Sequence, residues 1–86
     1  MIPDYVLQRH PGQVLPWLRA RLGLSRAALA QRLGTDARTV ARWETGRARI
    51  SLLYHRPIVR LLAPHLATEE GRAFMRSLGR GEASAG

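Results

Sequence analysis

Six residues inside the stretch RAALAQRLGTDARTVARWET, positions 26–45, leave this chain little freedom in how it folds. Leu29 and Leu33 recur at i, i+4, which is one face of a helix, and Val40 and Trp43 recur at i, i+3 further on. Gly34 falls between the two pairs, where a helix can exit through the left-handed conformation that glycine accepts. Ser25 and Asp36 stand four residues ahead of each pattern, and both residue types cap helix N-termini. Ala30 is small at the position where a crossing helix packs over it. The spacing predicts two short helices, 26–33 and 37–45, folded against each other across a sharp turn.

The second of these helices has an outer face as well defined as its inner one. With Val40 taken as zero and roughly 100° per residue, Trp43 lies near −60°, whereas Arg38 and Arg42 lie near 160° and 200°. Thr45 and Ala41 extend that outer face, and Ala37 lies nearer its edge in the first turn. Two like charges at i, i+4 cost a few tenths of a kcal/mol in water, so isolated stability does not explain them. A partner bearing phosphates and guanine edges would. A helix fits the DNA major groove, where an arginine can bond both acceptors of a guanine for roughly 1–3 kcal/mol of discrimination. The small Ala37 and Ala41 would let the backbone approach and could meet a thymine methyl.

Composition agrees with a polyanionic partner and narrows the alternatives. The 86 residues carry a net charge of +8, with fourteen basic residues against six acids. All fourteen are arginine, and asparagine is missing along with lysine, so G/C-rich codon usage accounts for their number. The functional meaning lies in where the arginines sit. One domain is expected at this length. With no cysteine, its stability must come from helix packing or dimerisation, not from disulfides or thiolate metal sites. No apolar run reaches bilayer-spanning length, and the start MIPDYVLQRH lacks the pattern of a signal peptide, so a cytoplasmic protein with no membrane partner is expected.

Along the rest of the chain, residues 1–9 read as an arm or a short helix. His10-Pro11-Gly12 breaks the chain before a helix over about 14–22, in which Pro16 is tolerable only within the first turn. An apolar element over about 57–66 follows the central unit, with Pro57 in its first turn and Pro64 kinking or shortening it. Thr68-Glu69-Glu70 begins a last helix with Phe74 and Leu78 on one face, serving the core or a dimer. Residues 79–86 are expected to be a disordered tail. The chain therefore divides into an arm (1–9), a helical domain (10–78) and a tail.

The residues L-x-x-L-R-x-x-L-G-L-S (15–25), L-A-x-x-L-G (29–34) and T-V-x-R-W-E-x-G (39–46) resemble the phage repressor and Cro family, also called the xenobiotic-response-element family. That resemblance implies an all-α fold, a compact four-to-five-helix repressor-like domain whose helix-turn-helix is 26–45 and which usually binds operators as a homodimer. It implies a sequence-specific regulator of transcription, a repressor, on double-stranded DNA. The family's base-reading positions correspond to Ala37, Arg38, Ala41 and Arg42. Its phosphate-contacting start of the second helix corresponds to Arg26, where glutamine is usual, and Thr35 replaces a commonly apolar residue and can meet a phosphate. Thr39, Thr45, Arg47 and Arg49 complete the expected phosphate contacts, which orient without reading sequence. Arg19 and Glu44 match a structural ion pair that the family often forms between helices.

A second resemblance concerns the flanks. HPGQVL (10–15) is similar to the HPGEIL opening of host-inhibition-of-growth antitoxins, and Arg49-Ile50-Ser51 to their G-x-x-I-S segment, although LLYHRP (52–57) departs from their pattern. It implies the alternative of an antitoxin that represses its own promoter and binds a toxin, or of an adaptor for another protein. Nothing in the sequence implies a cofactor, a metal or an enzyme. His10, His55 and His65 have no metal-ligand spacing and are expected in surface or capping roles, and the acids show no acid/base pair beyond Glu69-Glu70, which reads as a helix start.

Overall fold

A computed structural model describes the backbone of residues 4–85 and the side chains of residues 6–79. The described residues form six helices and no strand: α1 (Asp4–Arg9), α2 (Pro11–Leu22), α3 (Arg26–Leu33), α4 (Ala37–Glu44), α5 (Leu52–Leu66) and α6 (Glu69–Ala85). This is the all-α class expected, with one helix more than the four or five anticipated. The extra helix is α1, whose Val6 and Leu7 are buried in the core.

Helix α2 lies at the centre of the packing, against α1, α4 and α5. Its Val14, Leu15 and Leu18 are fully buried and meet Leu29, Ala30 and Leu33 of α3 and Val40 and Trp43 of α4 in a single cluster. Ile50, Ile58, Leu62 and Leu78 close that cluster from the C-terminal side. At the far side, Trp17 of α2 stacks on Phe74 of α6, with ring centroids 4.6 Å apart and planes within 6°. The Cα radius of gyration of 12.3 Å is close to the roughly 12 Å that scaling gives a packed domain of this size.

Capping fixes the two central helices where the sequence placed them. Ser25 Oγ accepts from the Ala28 amide at 3.1 Å, and Asp36 Oδ1 accepts from the Thr39 amide at 2.8 Å. Gly34 takes the left-handed conformation, φ 78°, and its amide and that of Thr35 cap the end of α3. Those Asp36 bonds, to the Thr39 amide above all, hold its carboxyl below the ordinary aspartate range.

Proline placement is where the structure departs from expectation. Helix α2 starts at Pro11, not near residue 14, with proline in the first turn where no donor is required. Pro16 consequently sits in the helix interior, not in the first turn. Helix α5 likewise begins at Leu52, capped by Ser51 Oγ on the Leu53 amide, so Pro57 and Pro64 are both interior and the helix continues through Pro64 to Leu66. An interior proline forfeits one backbone bond and costs about 3 kcal/mol or more. In both helices, fully buried side chains flank the proline and offset that cost: Leu15 and Leu18 in α2, Ile58 and Leu62 in α5. Helix α6 also runs to Ala85, through residues expected to be unstructured. Its start is fixed by Thr68, whose hydroxyl donates to the His65 carbonyl and accepts from the Gly71 amide.

His55 also departs from the surface or capping role expected. It is buried at 5% exposure, with Nε2 3.1 Å from the Ile50 carbonyl, and ties the start of α5 to the preceding loop.

Candidate nucleic-acid interface

The face of α4 splits as its helical angles require. Val40 and Trp43 are buried at 0% and 2% exposure, while Arg38 and Arg42 are exposed on the other side. Ala37 and Ala41 are half-buried beside them and Thr39 is half-buried as well. The chain turns at Gly46, and the Arg42 carbonyl accepts from the amides of both Arg47 and Ala48, folding the loop back on the helix end. Arg47 is thereby brought beside the helix. Arg38, Arg42 and Arg47 together line one open groove of about 520 Å³.

Three exposed guanidiniums around one groove form an anion-attracting surface, and none of the three makes an ion pair with a described residue. Arg38 lies near the Asp36 carboxylate and helps hold it ionised. Each guanidinium retains a planar fork suited to phosphate or guanine.

Other residues expected at this surface are placed differently. Arg49 is exposed but does not line the groove. Thr35 is half-buried and its amide is engaged by the Ala30 carbonyl. The Thr45 hydroxyl donates to the Ala41 carbonyl at 2.8 Å, so meeting a phosphate would require that proton to turn outward. Arg26, expected to meet a phosphate, turns its Nε onto Glu44 Oε1 at 2.9 Å.

That contact belongs to a three-residue cluster on the other side of α4 from the arginine groove. Arg19 of α2 donates from Nε to Glu44 Oε2 at 2.8 Å and from a terminal nitrogen to Oε1 at 2.9 Å, a bidentate fork. The Glu44 side chain is only 2% exposed. Burial pushes its carboxyl upward, but the bonds from Arg19 and Arg26 and their charges outweigh this and hold it below the ordinary glutamate range. The bond to Glu44 in turn raises Arg19 above its ordinary value. The C-terminal end of α4 is thus fastened to α2 and to the start of α3.

Gly12 fastens the same end by a second means that the sequence reading missed. A Cβ added there would lie 2.8 Å from the Glu44 carbonyl oxygen, so the backbones of α2 and α4 touch at this glycine. In sequence, His10-Pro11-Gly12 read as punctuation. The signal that was available is a glycine one position inside a helix that begins with proline, where a better helix former is affordable unless space forbids it. Among the described residues no group of three or more His, Cys, Asp or Glu could hold a metal ion.

The pattern of a helix-turn-helix domain family matches residues 12–75, about three-quarters of the chain, and the protein belongs to that family. The matched span runs from Gly12 through Met75 and includes both the caps of α3 and α4 and the arginine groove. No curated protein and no solved structure matches the chain. Membership makes it a helix-turn-helix protein of a DNA-binding kind, a class typically without enzymatic activity, and no helix among the described residues is long and apolar enough to cross a membrane.

Proposed function

We propose that the protein is a sequence-specific regulator of transcription that lays α4 in the DNA major groove and represses by excluding polymerase. The observation that carries this reading is the groove shared by Arg38, Arg42 and Arg47 on the exposed side of a doubly fastened helix. Arg38 and Arg42 read guanine edges, with Ala37 and Ala41 permitting close approach. Arg47 and Arg49 meet phosphates, as Thr35, Thr39 and Thr45 do where their hydroxyls can turn outward. The protein acts in the cytoplasm as a homodimer, because one small reader gains specificity from a second half-site about 34 Å away on the same DNA face. No chemical step is involved, and no cofactor.

The test is selection of bound sequences from random duplex DNA, followed by measurement of Arg38→Ala and Arg42→Ala on the selected site. Each variant is expected to lose about 1–3 kcal/mol and to relax preference at one base position per half-site. Wild-type affinity and preference in both variants would remove this face from the interface. A single copy bound per site, seen in the mass of the complex, would remove the homodimer.

A further inference from the structure

A second arginine groove lies along α5 and shares no residue with the first. Arg32 at the end of α3 faces Arg56, Pro57, Arg60 and Leu61 of α5 across an open groove of about 320 Å³. Two parallel rows at i, i+4, i+8 run along α5, Leu52, Arg56 and Arg60 in one and Leu53, Pro57 and Leu61 in the other. The last two residues of each row line the groove, and the leucines that begin the rows extend beyond it. Leu52 and Leu53 are 71% and 74% exposed, the large apolar side chains most open to water among the described residues. Arg32, Arg56 and Arg60 are exposed, and none forms an ion pair with a described residue.

We propose that this groove docks an acidic, amphipathic segment of another protein. Three clustered guanidiniums require an anionic occupant. The apolar row beside them requires one that also brings apolar side chains, which a phosphate backbone does not. A helical segment with carboxylates at i, i+4 alongside leucine-like residues meets both rows at once, ridge against groove. A second copy of this chain is a poor occupant of this groove, because none of its six acids lies three or four residues from another. Its exposed acids Glu69 and Glu70 are adjacent in sequence, so they leave α6 in different directions. The proposal stands independently of DNA reading by α4.

The experiment selects displayed random peptides, about four helical turns long, on the immobilised full-length chain in excess duplex DNA. Enriched peptides are then titrated by fluorescence anisotropy against wild type, the double variant R56E/R60E, and L53D, with melting curves to show that each variant is folded. The expected outcome is a shared pattern of acids three or four residues apart beside an apolar residue. R56E/R60E should weaken binding by about tenfold or more, since two part-exposed ion pairs become repulsive. L53D, which alters only an exposed side chain, should weaken it several-fold. Four results would overturn the proposal: no enrichment, enriched peptides without acids, affinity that survives both variants, or displacement of the peptide by added DNA. Self-association that both R56E/R60E and L53D abolish, read from the mass, would assign the groove to a second copy instead.

Discussion

Arginines approach α4 from two sides, and the two sets do opposite things. Behind the helix, Arg19 and Arg26 converge on one buried carboxylate and satisfy it. In front, Arg38, Arg42 and Arg47 converge on open water with no carboxylate between them. The rear set has a partner within the fold, so its energy is realised as stability and as the fixed pose of the helix. The front set makes no ion pair with a described residue, Arg38 having only the nearby Asp36 charge, and the i, i+4 repulsion of Arg38 and Arg42 is a small standing cost in the free protein. Identical side chains therefore separate into those that hold α4 in place and those left open to an anionic partner, according to whether the fold supplies an ion-pair partner.

The comparison is broken most severely at Glu44. Glu44→Gln leaves two guanidiniums facing a neutral amide, one of them in a part-buried fork, and should cost about 3 kcal/mol. At about 4–8 °C per kcal/mol for a domain of this length, the melting temperature should fall by more than about 10 °C. The double variant Arg38→Ala/Arg42→Ala should move it little or raise it slightly, because repulsion is relieved. Thermal melts of the two variants side by side decide the matter, and equal effects would erase the distinction.

Acid titrates the same difference. The Glu44 carboxyl is held below its ordinary value in the fold, so its contribution is complete above its unfolded value of about 4.3 and is lost as the pH falls through the lower folded value. Wild-type melting temperature should therefore be flat near neutrality and drop below about pH 4. Glu44→Gln should lose most of that drop, which a pH series of melts would show. A variant with the same acid profile as wild type would place the acid sensitivity elsewhere.

Much of this was legible in the sequence because it rests on periodicity and on short-range caps. Leu29, Leu33, Val40 and Trp43 announce their faces at helical spacing, and Ser25, Asp36 and Gly34 announce ends that act within three residues. What was hidden depends on contacts distant in sequence. Pro16 and Pro57 looked like helix starts because their local cost is large, and only the burial of Leu15, Leu18, Ile58 and Leu62 shows that it is outweighed. His55 looked like a surface residue because nothing nearby in sequence reveals that its ring is buried beside Ile50. The groove of Arg32, Arg56 and Arg60 joins side chains more than twenty positions apart in the chain and has no local signature at all.

Gly12 sharpens the comparison from the backbone side. Gly12→Ala drives a methyl against the Glu44 carbonyl, and neither backbone can yield cheaply, so a loss of about 1–3 kcal/mol is expected despite alanine's higher helix propensity. Displacement of α4 should also weaken specific DNA binding more than non-specific binding, since phosphate attraction does not depend on the pose. Stabilisation by the alanine would show that α2 and α4 have more room than the contact implies.

Arg26 gives the smallest effect and the finest distinction, because it stands at the border between the two sets. Its Nε holds Glu44 while its side chain remains 44% exposed, leaving the terminal nitrogens of the guanidinium free to face a phosphate at the start of α3. Arg26→Ala should cost about 0.2–1 kcal/mol of stability, the scale of an exposed pair, since Arg19 still holds the carboxylate. If the free nitrogens also neutralise one phosphate, the slope of log affinity against log salt should become shallower by about 0.9, with sequence preference unchanged. Both changes together would make Arg26 the link between the fastened and the reading side of the helix. A loss of stability with an unchanged salt slope would assign it wholly to the rear, and DNA contact would then begin at Arg38.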